Sequence, residues 1–202
     1  AGDLGFLGIA VPQKYGGMGM GFVSTMLVCE AISGASGSLS TAFGAHTGIG
    51  TMPIVLYGNE EQNKKYVPKL ASGEIFGSYC LTEPSAGSDA NSGKTKAVIS
   101  KDGSHYKITG QKMWISNAGF AKLFIVFARI EDDKNITGFI VPHEPNNGIT
   151  LGQEDRNLFK NLIAADLFIT SEVNFLIEEV QTPIVKISSS KGNKCDRCWK
   201  IL

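Results

Sequence analysis

Apolar and polar positions change their period once along the chain. Up to residue 73 the spacing is helical, and beyond it alternating, β-branched runs take over. Ala1 to Gly21 sets glycines around Phe6, Leu7, Ile9, Val11 and Tyr15, which predicts a packed loop with at most a short helical turn. Phe22, Met26, Cys29, Ala31 and Ile32 recur near helical spacing and predict a helix over Phe22 to Ala35. Leu39 to Tyr57 predicts a further helical run broken at Pro53, and both helices are expected to be largely buried. Asn59-Glu60-Glu61-Gln62 has a capping residue, acids in the first turn and Gln at the capping-box position, so a helix should run from there to near Leu70.

Strand-like runs follow at Ile75 to Thr82, Lys94 to Ser100, His105 to Thr109, Leu123 to Ile130 and Ile136 to Val141. Asp102-Gly103 and Asn147-Gly148 are turn signals between or after them. Helices first and strands afterwards make an α+β chain. The expected domains are a helical part over 1–73, a middle β-domain over 74–154 folded as an antiparallel barrel or sandwich, and a short mixed tail over 155–202. No βαβ alternation occurs, which argues against a doubly wound dinucleotide fold and leaves Gly34-Ala35-Ser36-Gly37 as a loop.

Composition narrows the function classes. At 202 residues, 43% hydrophobic and 19% charged, the chain can bury a substantial core. Its formal net charge of zero lacks the basic footprint of wholesale binding to nucleic acid or anionic membrane. No apolar run is long enough to span a bilayer, and the start carries no leader pattern, so the expectation is a soluble, non-secreted protein. Cys29 and Cys80 read as buried thiols, and His46 reads as a satisfied core histidine, with no acidic or nucleophilic partner nearby.

The stretch Tyr79-Cys80-Leu81-Thr82-Glu83-Pro84-Ser85-Ala86-Gly87-Ser88-Asp89 carries the chemistry. A strand breaks there at Pro84 into a small-residue turn with hydroxyls and free backbone amides. On local pattern it is either a hairpin bend or a loop for a polar or anionic ligand. Trp114 is likewise either a strand-end core residue or an aromatic plane beside a ligand.

Three stretches in joint order and spacing resemble the acyl-CoA dehydrogenase family over residues 1 to about 154. They are Gly8-Ile9-Ala10-Val11-Pro12 through Tyr15-Gly16-Gly17, the Tyr79 to Asp89 stretch, and Gly110-Gln111-Lys112-Met113-Trp114-Ile115-Ser116-Asn117. The resemblance implies that Tyr79, Cys80, Leu81, Thr82, Glu83, Pro84, Ser85, Ala86, Gly87 and Ser88 line FAD, and that Trp114, Ile115 and Ser116 complete the cradle. Thr82 is expected to donate its hydroxyl to the pyrimidine side of the flavin, and Ser88 to approach both the FAD pyrophosphate and acyl-CoA. Glu83 is expected to serve the loop rather than the chemistry. The family places its catalytic carboxylate in a C-terminal helical domain, so no catalytic base is assigned to this chain and it is not expected to dehydrogenate acyl-CoA alone. Electron-transfer flavoprotein as partner, homo-oligomerisation, and a bacterial cytoplasmic or mitochondrial matrix location are further implications of the resemblance.

From about Leu158 to Leu202 the chain resembles a different family, the C-terminal zinc-finger region of bacterial isoleucyl-tRNA synthetase. The match runs through Ala165-Asp166-Leu167-Phe168-Ile169-Thr170-Ser171-Glu172-Val173 and Lys191-Gly192-Asn193-Lys194-Cys195-Asp196-Arg197-Cys198-Trp199. Cys195 and Cys198 would be half of a zinc site that needs four ligands, with reduced free thiols as the alternative. The chain is therefore read as a flavoprotein fragment joined to an unrelated tail, the alternatives being a tRNA- or zinc-binding module or a chimera without function of its own.

Overall fold

The computed structural model describes residues 1–145 and 147–151. Within the opening glycine-rich loop, short turns at Phe6–Gly8 and Gln13–Tyr15 bury Leu7, Ile9, Val11 and Tyr15. Helix α1 spans Phe22–Ala35, as its spacing predicts. Ser36 then caps α2 over Gly37–Gly44, its side chain accepting the Leu39 N–H. The 34–37 stretch is thus a helix end and a cap rather than a loop. α2 continues without a break into a π-helical segment, Ala45–Thr51, and α3, Met52–Tyr57. Pro53 follows directly on the π-helical segment, and the helix passes through it into α3 instead of breaking there.

Helix α4 spans Glu60–Ser72 and carries the predicted capping box. Asn59 Oδ1 accepts the Gln62 N–H at 2.8 Å and Gln62 Oε1 accepts the Asn59 N–H at 2.9 Å. It closes on Gly73, whose φ of 80° lies in the left-handed region that glycine tolerates.

The strands among the described residues are β1 (Gly77–Cys80), β2 (Lys96–Ile99), β3 (Tyr106–Thr109), β4 (Leu123–Ile130) and β5 (Ile136–Pro142). Strand β4 is the hub. β5 runs antiparallel to it from Leu123↔Pro142 to Arg129↔Ile136. Along its other edge β1 pairs in parallel with Leu123 to Val126, and β2 pairs in parallel with Arg129 and Ile130. β3 extends β2 antiparallel. The expected antiparallel barrel or sandwich is therefore corrected to an open sheet with two parallel pairings among the described residues. Alternation reveals which side chains share a face, but it carries no information about which strand a backbone edge will meet. Residues 81–122 form the long return that a parallel neighbour requires.

The main core joins the helical half to the sheet. Val11, Tyr15, Ile54, Val67, Leu70 and Ala71 pack with Leu123 and Ile125 of β4. A second cluster, Cys80, Ala121 and Phe124, has Ile115 and Val141 against it. The π-helical segment crosses β1 so closely that a Cβ on Gly50 would lie 2.9 Å from the Gly77 carbonyl. His46 fastens the same crossing. It is fully buried, its Nδ1 accepts the Gly77 N–H at 3.1 Å, and its Nε2 faces the Leu70 carbonyl at 3.0 Å. Those partners require a neutral ring with the proton on Nε2, in agreement with the burial that lowers its pKa.

α1 departs from expectation. None of its residues is buried, and Phe22 and Val23 are 74% and 72% exposed. Helical spacing locates a helix but cannot say whether a partner is present for each face. Cys29 is correspondingly half-buried, while Cys80 is buried as expected.

Candidate functional site

β1 delivers Tyr79 and Cys80 to the sheet edge, and the chain leaves the sheet at Leu81. The next residues fold into a tight turn. The Glu83 N–H donates to the Ala86 carbonyl at 2.9 Å, and the Ala86 N–H donates to the Glu83 carbonyl at 3.1 Å, which leaves Pro84 and Ser85 exposed at the tip. Ala86 is buried beneath the turn, whereas Gly87 and Ser88 face outwards. The bend reading of this stretch is thus correct in geometry, and the bend presents small polar residues at the surface.

Residues 112–116 come alongside it. The Met113 N–H donates to the Thr82 carbonyl at 2.9 Å, and Lys112 Nζ donates both to the Leu81 carbonyl at 3.1 Å and to Glu83 Oε1 at 2.7 Å. At the base of β1, Ser78 Oγ donates to the Ser116 carbonyl at 2.8 Å. Two segments far apart in sequence are thereby fastened side by side. Trp114 lies on the bridging segment with φ 56° and is 86% exposed, so it is not a core residue. Ile115 turns inward against the Cys80–Phe124 cluster, and Ser116 is exposed. Asn117, also left-handed at φ 67°, donates from Nδ2 to the Ala42 carbonyl of α2 at 2.9 Å and ties the segment to the helical half.

The electrostatics of this corner are fixed. Burial alone would raise the Glu83 carboxyl, but Lys112 and the N–H groups of Lys94 and Thr95 outweigh it and hold its pKa at about 2. Glu83 is therefore an ionised structural acceptor at neutral pH and is unsuited to proton abstraction. Burial pushes the Cys80 thiol up to about 12 despite the charge on Lys112, which removes it as a nucleophile. The Tyr79 phenol is also raised by burial, and its ring stands 4.9 Å from that of Phe127.

Sequence reasoning assigned no role to Lys112 or Asn117, although both stand in the quoted 110–117 stretch. A lysine in an apolar run gives no sign of which carboxylate it will meet, so only the fold reveals the pairing. Cys195 and Cys198 lie outside the described residues. Among the described residues no group of His, Cys, Asp or Glu is arranged to hold a metal, and no helix is long and apolar enough to cross a membrane. A groove of about 250 Å³ between α4 and the β4–β5 end is lined by Lys65, Lys69, Lys122 and His143 and includes none of the predicted site residues.

Comparison with known proteins gives a family match over most of the chain. The family profile for the acyl-CoA dehydrogenase N-terminal domain matches residues 1–74, and that for the middle domain matches residues 78–169. A probable acyl-CoA dehydrogenase of Bacillus subtilis is 49% identical over 158 residues, covering 78% of this chain and 26% of the relative. A second acyl-CoA dehydrogenase of the same organism is 37% identical over 196 residues, covering 95% of this chain and 49% of the relative. The crystal structure of an acyl-CoA dehydrogenase complexed with FAD from Bacillus anthracis superposes with a TM-score of 0.73 at 47% identity, covering 77% of this chain and 27% of that one. The chain thus spans between about a quarter and a half of the length of these relatives. The middle-domain match continues to residue 169, through the Ala165 to Ile169 stretch assigned above to the synthetase resemblance. The synthetase and zinc readings find no support in these comparisons.

Proposed function

The chain belongs to the acyl-CoA dehydrogenase family, with that family's N-terminal and middle domains, and from this premise we propose that residues 79–88 and 114–116 cradle FAD in an enzyme acting on acyl-CoA. The observation that carries the proposal is the fastening of Thr82 to Met113, which places the exposed hydroxyl-rich turn and the bare Trp114 ring on adjoining segments. An aromatic side chain held in the left-handed region and left open to solvent fits a surface that a planar group covers.

FAD would supply a hydride acceptor for the β carbon of the thioester. This chain's own residues would bind and orient it. The Thr82 hydroxyl and neighbouring backbone N–H groups serve as donors to the pyrimidine side, favouring the charge that reduction brings. Trp114 flanks the ring system, Ser116 serves its opposite polar edge, and Ser88 meets both the pyrophosphate and the incoming acyl-CoA. Cys80, Leu81, Pro84, Ala86 and Gly87 supply backbone and small-residue surface, and Tyr79 and Ile115 hold that surface from beneath. Glu83 and Ser85 shape the turn.

The base that removes the α proton lies, in this reading, outside the described residues. Glu83 is the one buried carboxylate among them, and Lys112 with two N–H groups engages it fully. Electrons would then pass to an electron-transfer flavoprotein. Titrating the purified chain with FAD and following flavin fluorescence and visible absorption tests the proposal. Saturable quenching with one flavin per chain is expected, and no retention of flavin at any protein concentration would sink it.

A further inference from the structure

Lys112 and Glu83 form the one ion pair between largely buried side chains among the described residues, with side-chain exposures of 13% and 4%. Its placement is unusual for a structural pair. Three consecutive residues of the turn segment, Leu81, Thr82 and Glu83, are gripped by two consecutive residues, Lys112 and Met113. Lys112 takes the first carbonyl and the third side chain, and Met113 takes the carbonyl between them. The carboxylate is also held by the Lys94 N–H at 2.6 Å on Oε2 and by the Thr95 N–H at 3.1 Å on Oε1, the oxygen that Lys112 takes, so it cannot swing with the lysine. Space confirms how tightly it is set, since a Cβ on Gly93 would lie 2.9 Å from Glu83 Oε1.

We propose that Lys112 and Glu83 are a positioning pair, which sets Thr82 and Trp114 in register with each other before any flavin arrives. The functional consequence of the pair rests on the flavin reading, and its geometry does not. Replacing a buried ion pair by apolar groups is often neutral for stability. Beside one backbone hydrogen bond at Thr82 and the Ser78–Ser116 contact at the base of β1, the role of the pair is to fix the offset between the two segments at the turn itself. Thr82 precedes the gripped carboxylate by one residue, and Trp114 follows the gripping lysine by two, so a slip at the pair moves both.

The test uses the full chain with the variants K112M, E83Q and E83Q/K112M, comparing urea midpoints, FAD dissociation constants and hydrogen exchange of the Met113 amide. In K112M the Met113 amide should exchange about tenfold faster than in the parent, while β4–β5 amides keep their protection, and FAD should bind about tenfold more weakly. E83Q, which keeps an oxygen acceptor for Lys112, should lie between K112M and the parent. The double variant should regain much of the urea midpoint lost by K112M without regaining Met113 protection or FAD affinity. Met113 protection in K112M within about twofold of the parent would overturn the proposal. So would recovery of exchange and affinity together with the midpoint in the double variant. If the parent itself binds no FAD, the flavin reading fails separately and the Met113 exchange still decides the positioning role.

Discussion

Two titratable side chains, His46 and Glu83, show how a residue's role follows from what surrounds it. His46 is enclosed between α4 and β1, accepting one N–H and facing one carbonyl, so the folded state disfavours the imidazolium. Its folded pKa is lowered, and as pH falls below about 6.5 the unfolded chain takes up a proton that the folded chain refuses. Stability should therefore decline from that pH downwards, read as a falling urea midpoint. H46A should lack this step and should cost about 2–4 kcal/mol at neutral pH, because the Gly77 N–H and the Leu70 carbonyl lose their partner and a cavity opens. Glu83 has the same sign in another window. Its folded pKa is about 2 against an ordinary value of 4.5, so its contribution is complete above about pH 4.5 and is lost as pH falls towards 2. An acid titration of the parent should show both steps, and in E83Q the lower one should shrink without vanishing, because hydrogen bonds from Ser100 and Ser104 hold the Asp102 carboxyl at about 2 as well.

At the scale of elements, short contacts decide where the helical half meets the sheet. Gly50 and Gly77 let the π-helical segment cross β1 in backbone contact, and Gly50→Ala should cost about 1–3 kcal/mol because neither backbone has a flexible end to move. Thermal unfolding followed by circular dichroism checks this. The capping box of α4 is a purely local device, and N59A should lose only about 1 kcal/mol while leaving the flavin titration unchanged. Such changes separate stability from site geometry, since Asn59 lies outside the segments that grip Thr82 and Trp114.

For the described body as a whole, the exposed side of α1 matters most. Phe22, Val23 and Leu27 are all more than half exposed on a helix that buries no residue. Apolar surface of this kind favours association. V23E/L27E should reduce concentration-dependent association in sedimentation velocity, and the urea midpoint should stay close to the parent's because nothing buried is touched. Retained association together with a lowered midpoint would show that the face is covered in solution.

Much of this molecule is written in local chemistry. The extent of α1, the capping box and the placement of the five strands among the described residues follow from period, turn residues and caps, which act within a few residues of themselves. The Tyr79 to Asp89 and Gly110 to Asn117 stretches were likewise legible as the place to look. Which strands are neighbours was not. Alternation is identical in an antiparallel barrel and in an open sheet whose hub strand has two parallel partners, and only long-range hydrogen bonding distinguishes them. The burial expected of α1 failed for a related reason, because an apolar helix records a demand for partners rather than their presence. Lys112, Asn117 and the neutral state of His46 belong to tertiary structure entirely. Each depends on a carboxylate, a carbonyl or an amide dozens of residues away, and no spacing rule in the sequence encodes which of them it will meet.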